Sequence, residues 1–200
     1  DGQRRWTCAR ELGLEEVPVN QVREPSLAQN IVTMFQIHKL REDWELMPTA
    51  IKLEMLMNEL NERNEKTLAE ITGLDVAVVS RCKKLLTYPA RYRDMMLRPN
   101  PDERVKADFF IELYPIISDQ AVRRFVWFKR DYIIERMLDK YFNRKSGIKS
   151  VTDFRKMKQH ITAAKRANYV EQLSQRFKEF CEDDGIDLSH LEIRDAGIHQ

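Results

Sequence analysis

Residues 66–87 of the chain read KTLAEITGLDVAVVSRCKKLLT, which is the most informative segment of the sequence. Two short helical patterns, at residues 67–72 and 76–86, flank the turn sequence Gly73-Leu74-Asp75. Glycine adopts the left-handed conformation that a tight turn between two helices requires. Ala69 is small enough to let the second helix cross the first closely. The stretch therefore predicts a helix-turn-helix.

The second helix of this pair would present polar and basic side chains on its exposed face. Leu74, Val79 and Cys82 supply the apolar contacts that hold the helices at an angle, and Asp75 is a candidate N-cap. In DNA-binding proteins the start of such a helix lies in the major groove, where Ser, Arg and Lys reach base edges or phosphates. A purely structural pair of helices is the alternative. The candidate DNA-binding residues of the pair are Thr67, Ala77, Ser80, Arg81, Lys83 and Lys84.

Charge is distributed unevenly along the chain. The net charge is only +2, but residues 120–170 carry +10, residues 171–200 carry −5 and the first 119 residues carry −3. A concentrated basic block suits a polyanion, because each neutralised phosphate releases counterions. A solvated helical face is the alternative, and charge alone favours neither. A second candidate phosphate-contacting surface, on both sides of a short predicted turn, consists of Arg144, Lys145, Lys149, Arg155 and Lys156.

Composition excludes several classes of protein. The chain has 200 residues, of which 33% are charged, and no stretch approaches the roughly 20 apolar residues that a bilayer helix needs. The 3 cysteines and 4 histidines lack the short spacings of disulfide frameworks and metal sites. We therefore expect a cytoplasmic protein without a membrane or metal-binding role. Because the chain opens on Asp1 before Gly-Gln-Arg-Arg, we interpret it as a fragment cut inside a domain.

The scarcity of turn residues predicts a mainly α fold, since only 6 glycines and 7 prolines interrupt the chain. One strand is expected at Val17-Pro18-Val19-Asn20-Gln21-Val22, and a lone strand needs partners. The sequence Arg98-Pro99-Asn100-Pro101-Asp102 is the best internal boundary. The predicted regions are residues 1–45 with the strand, 46–98 with the helix-turn-helix, and 102–200 as a basic helical region with an acidic tail. Helices are predicted at about residues 4–13, 27–40, 47–60, 91–97, 107–117, 120–143, 153–166 and 168–181.

Several stretches of the first half resemble ParB-type partition proteins. Gly2-Gln3-Arg4-Arg5, residues 9–14 and Val17-Pro18-Val19 look like the end of that family's N-terminal domain, where a Gly-Glu-Arg-Arg box precedes a helix and Val-Pro-Val forms a strand. Leu40-Arg41-Glu42-Asp43-Trp44 is similar to the family's Arg-Glu-Asp-Leu stretch. The resemblance continues through the helix-turn-helix to Pro89 and covers about half of the chain.

The resemblance implies a set of nucleotide-binding residues and a cofactor. Family members bind centromere-like DNA, and they bind and hydrolyse CTP with magnesium to close a dimeric clamp. The residues that would take part here are Gly2, Gln3, Arg4, Arg5, His38 and Arg41. The sequence departs from the family pattern at Gln3, which replaces a Glu, and at Ile37 and His38, which replace the Glu and Asn of a Glu-Asn-x-x-Arg box ending at Arg41.

These observations lead to an expected function and one alternative. We expect a sequence-specific DNA-binding protein of the ParB type, acting in plasmid or chromosome partition as a homodimer, with a partition ATPase as a further partner. A CTP-gated clamp is part of this expectation, and we predict no catalytic residues within the chain itself, since any CTP hydrolysis would belong to the full-length protein. The alternative is a ParB-derived transcriptional regulator or adaptor that has lost the CTP switch.

Overall fold

The computed structural model describes residues 2–19, 24–38, 45–143 and 147–193. These residues form helices and connecting turns, and the described part of the chain contains no strand, which confirms the mainly α prediction. The helices are α1 (Gln3–Glu11), α2 (Leu27–His38), α3 (Leu46–Leu60), α4 (Glu65–Thr72), α5 (Val76–Leu86), α6 (Ala90–Leu97), α7 (Ala107–Ile117), α8 (Gln120–Arg123), α9 (Arg130–Asn143), α10 (Asp153–Arg166) and α11 (Val170–Glu182).

The chain divides into two compact units after Pro99, which we call the N-terminal unit and the C-terminal unit. A 3-10 turn at Pro101–Glu103 opens the second, and another at Leu188–Leu191 packs against α10 and α11 near its end. None of the described helices is long and apolar enough to cross a bilayer.

Helix α3 is the centre of the N-terminal unit. Its Ala50, Leu53 and Leu56 are fully buried, as their spacing on one face predicts, whereas Leu60 at the end of the helix is 40% exposed. Helix α3 packs against α2, α5 and α6, and α2 also packs against α4. Residues on both sides of the sequence boundary at 45/46 therefore share one compact unit.

The expected strand near the N-terminus is not present where the chain is described. Val17, Pro18 and Val19 have no regular secondary structure and follow a turn in which Gly13 has a φ of +67°. Residues 20–22 of that prediction and the stretch 40–44 lie outside the described residues.

The prediction of one long helix at residues 120–143 is wrong, because the structure has two separate helices there, α8 and α9. The rings of Phe125 and Trp127 both pack near Phe177, with centroid distances of 6.1 and 5.8 Å. Two residues separated by one position point about 200° apart on a helix and could not both face Phe177. Packing of both rings against Phe177 of α11 is therefore incompatible with one continuous helix.

Candidate nucleic-acid interface

Helices α4 and α5 are joined by the tight turn that the sequence predicts. Gly73 has a φ of +71°, and its N–H donates to the carbonyl oxygen of Ala69 over 2.8 Å. The start of α4 is capped by Asn64, whose Oδ1 accepts from the N–H groups of Lys66 at 2.9 Å and Thr67 at 3.2 Å. Both ends of α4 are thus held by local hydrogen bonds.

Helix α5 has one buried face and one accessible face. Val79, Cys82 and Leu85 are completely buried against the rest of the unit. Burial raises the pKa of the Cys82 thiol to about 12, which keeps it protonated and unreactive. The opposite side of the helix is partly or fully exposed and carries Ala77, Ser80, Arg81 and Lys84, which share one face at a helical spacing of three and four residues.

Lys83 belongs to a different group from Lys84. Its ammonium donates to the carbonyl oxygen of Arg63 over 2.8 Å and lies 3.4 Å from Oε1 of Glu65. Arg63 in turn donates to Asn58 Oδ1 over 2.9 Å and to the carbonyl oxygen of Met57 at the end of α3. Lys83 therefore connects α5 to the loop between α3 and α4, an arrangement that the sequence did not reveal.

Asp75 stands at the N-cap position of α5 with extended backbone, as predicted. Its carboxylate, however, makes no capping hydrogen bond to the helix. Thr67 lies in the first turn of α4, where its side chain is partly exposed. Thr67, Ser80, Arg81 and Lys84 are thus polar side chains accessible on the α4–α5 pair.

The second predicted surface, in the C-terminal unit, is less available for phosphates than its sequence indicates. Arg155 binds both carboxylate oxygens of Glu112, with Nε to Oε2 at 2.9 Å, and Lys156 Nζ lies 2.9 Å from Asp153. Lys149 is exposed, while Arg144 and Lys145 lie outside the described residues.

Other bases of the +10 block hold the C-terminal unit together. Lys158 and Lys165 both bind Asp119, at 2.6 and 3.1 Å. The Lys140 side chain is completely buried, with its ammonium 4.5 Å from the centre of the Phe180 ring and 2.8 Å from the carbonyl oxygen of Asp183. Burial lowers the pKa of Lys140. The formal charge of this segment therefore overstates the positive charge that a ligand can reach.

The box at residues 2–5 lies at the start of α1, beside a pocket. Gly2 has a φ of +112° at the N-cap, and Arg4 is exposed. A pocket of about 680 Å³ is lined by Gly2, Arg5, Trp6, Ala9, Leu14, Val17, Pro18 and Val19.

The remaining residues of the predicted nucleotide site do not line this pocket or lie outside the described residues. Gln3 is exposed in the first turn of α1, and Ile37 is 41% exposed near the end of α2. The side chain of His38 and all of Arg41 are outside the described residues. Within the part of the chain that the structure covers, no three His, Cys, Asp or Glu side chains group in a way that could hold a metal ion.

Part of the chain is similar in sequence to a known partition protein. The chain is 33% identical over 87 residues to a Vibrio cholerae protein named as a probable chromosome-partitioning protein ParB. The matched segment covers 42% of this chain and 28% of that protein. No protein-family model and no solved structure matches the chain. The similarity supports a relationship to ParB-type partition proteins at the level of the family.

Proposed function

We propose that the chain binds double-stranded DNA in a sequence-specific manner through α5, as a homodimeric partition protein of the ParB type. The observation that carries the proposal is the accessible face of α5, which presents Ser80, Arg81 and Lys84 while its other face is buried. The similarity to a ParB protein over 87 residues supports the same conclusion. Two copies would read paired half-sites, which is how single helix-turn-helix units gain affinity.

Each residue of this face has a distinct expected role. Arg81 is suited to bidentate contact with guanine O6 and N7, the commonest base-specific contact in the major groove. Ala77 lies in the first turn of α5, where a small side chain allows close approach to a base edge. Lys84, one turn beyond Ser80, and Thr67 on α4 would contact phosphates.

The first prediction separates base reading from phosphate contact. With Arg81→Ala we expect about a ten- to hundred-fold loss of affinity for the selected site and little change on random DNA. With Lys84→Ala we expect uniform weakening on both DNAs and a salt slope reduced by about one, since one phosphate contact is removed. Selection from random DNA followed by fluorescence anisotropy at several salt concentrations measures both effects.

Lys83→Ala is the matched control, because it removes the same charge from the next position of the same helix. Lys83 is bound to Arg63 and Glu65, so its loss should leave the salt slope unchanged. Two results together would contradict the proposal. The salt slope would be the same in the wild-type protein, Lys83→Ala and Lys84→Ala, and Arg81→Ala would keep the site preference of the wild type.

A second proposal concerns a nucleotide at the start of α1. The first N–H groups of a helix attract phosphate, and Arg5 lines the adjoining pocket. These residues, with Arg4, fit the triphosphate of CTP. The chain is less well suited to the magnesium ion that accompanies CTP, because Ile37 stands where the family has a carboxylate ligand. This departure favours the alternative of a ParB-derived regulator or adaptor without the CTP switch.

Calorimetric titration with CTP, in the presence and absence of magnesium, tests whether this pocket binds the nucleotide. If the chain retains the site, we expect saturable heat that is lost in Arg5→Ala and kept in Arg10→Ala. Arg10 lies on the same helix, but its guanidinium is 4.9 Å from the Trp6 ring centre and it does not line the pocket. An absence of heat in the wild-type chain would contradict nucleotide binding by the residues of this pocket.

A further inference from the structure

The loop between α8 and α9 is packed on one side and exposed on the other. The rings of Phe125 and Trp127 are stacked at 5.5 Å, and Trp127 lies 5.8 Å from Phe177 of α11. The indole Nε1 of Trp127 also donates to Ser174, with distances of 3.2 Å to its carbonyl oxygen and 3.0 Å to its hydroxyl. The loop therefore has a defined conformation although it lacks regular secondary structure.

Arg123 at the end of α8 and Arg124 and Lys129 in the loop are all exposed. Within the described residues the side chains of these three bases form no ion pair or hydrogen bond, unlike Lys158 and Lys165. Val126, between them, has a relative exposure of 105% and forms the tip of the loop. We call Arg123, Arg124, Val126 and Lys129 the basic loop.

The acidic residues closest in sequence do not neutralise the basic loop. Asp119, before α8, is already occupied by two lysines. Asp131 lies in the first turn of α9, where a carboxylate complements the helix dipole, and it has interactions of its own. Three cations beside a loop that is anchored by Phe125 and Trp127 thus face solvent.

We propose that the basic loop contacts the phosphate backbone of double-stranded DNA without regard to sequence. Because Phe125 and Trp127 already anchor the loop, phosphate contacts made by its cations would require little further ordering of the backbone. A single exposed valine is far too small an apolar area for a stable protein interface, which needs about 1,000 Å². The inference rests on the proposed function only in taking DNA as the polyanion, and it adds a contact in the C-terminal unit to the one assigned to α5.

The test uses the full chain and random-sequence DNA, with affinity measured across a range of salt concentrations. The triple variant R123A/R124A/K129A is expected to reduce the magnitude of the salt slope by about two to three, since each phosphate contact contributes about 0.9. The preference of the protein for its selected site over random DNA is expected to stay within two-fold of wild type.

A control triple variant, K106A/R166A/K178A, removes the same total charge from other partly or fully exposed positions of the same unit. If both triple variants reduce the slope equally, net charge and not the basic loop is responsible, and the proposal is overturned. An unchanged salt slope in the loop variant overturns the proposal as well. Binding to anionic lipid vesicles serves as a second measurement: if the loop variant loses affinity for the vesicles but keeps its affinity for DNA, the proposal is also overturned. Because Arg81→Ala tests α5 separately, failure of the loop and failure of the proposed function give different results.

Discussion

Replacing Asp119 by alanine is expected to lower the free energy of unfolding of the C-terminal unit by about 3 kcal/mol, near the lower end of the range for breaking a buried ion pair. The Asp119 side chain is only 3% exposed, and its carboxylate binds Lys158 and Lys165 at 2.6 and 3.1 Å. It also caps α8 by accepting from the N–H of Ala121 at 2.9 Å. Both lysines are partly exposed, so water solvates their ammonium groups when the carboxylate is removed. This solvation keeps the cost of the substitution near the lower end of the range.

The effect of this substitution should depend on pH. Burial by itself raises the pKa of Asp119, but hydrogen bonds from Lys158, Lys165 and the Ala121 N–H outweigh it and lower the pKa below its usual range. The carboxylate therefore stabilises the fold above its unfolded pKa of about 4, and this contribution is lost as the pH falls through the folded pKa. The difference in the free energy of unfolding between wild type and Asp119→Ala should therefore be constant near neutral pH and shrink as the pH falls below about 4.

Urea denaturation at several pH values measures this effect, with Asp187→Ala as control. Asp187 caps the 3-10 turn by accepting from the N–H of Ser189 at 2.8 Å, but no lysine hydrogen-bonds to it and it is exposed. Its loss should cost clearly less than that of Asp119, because it removes only capping hydrogen bonds of an exposed side chain. Equal losses in the two variants would contradict the role assigned to the lysine pair.

Gly147→Ala is expected to destabilise the same unit by about 2–3 kcal/mol through overpacking. A Cβ at this position would lie 2.6 Å from the backbone nitrogen of Leu188 and 2.7 Å from the Cα of Asp187. Backbone atoms cannot rotate away as a side chain can, so the 3-10 turn at Leu188–Leu191 would have to move. Since Leu191 is fully buried, this movement would expose part of the core.

Gly185→Ala is the matched control for this prediction. Its added Cβ would meet only the side-chain oxygen Oδ1 of Asp183, at 3.2 Å, which can shift. We expect a change within about 0.5 kcal/mol, as for ordinary surface substitutions. Thermal unfolding and amide hydrogen exchange of residues 186–191 compare the two variants, and similar protection in both would show that the close approach at Gly147 is not required.

Local sequence was sufficient to predict the α4–α5 pair. Gly73 takes the left-handed conformation because residues between two tightly joined helices need it, and the buried positions Val79 and Cys82 follow from helical spacing. The same spacing places Lys84 with Ser80 and Arg81, and it places Lys83 towards the buried side. Helical geometry alone could therefore have separated the two lysines, although their partners could not be identified from it.

The prediction of one helix at residues 120–143 failed because the packing of aromatic side chains competes there with helical periodicity. Residues 120–143 have the apolar spacing of one helix, yet Phe125 and Trp127 gain more from packing on α11 than from continuing α8. The side chain that receives them, Phe177, is about 50 residues further along the chain. No local pattern contains that information.

The sequence by itself determined the helical character of the protein, the position of its principal turn and the side chains that α5 presents. Only the tertiary structure decided which of its many bases remain available to a polyanion. Lys158, Lys165 and Arg155 are bound by carboxylates that lie 39, 46 and 43 residues away in the chain. Electrostatic pairing depends on distance in space, and folding brings together charges that a linear count treats as independent.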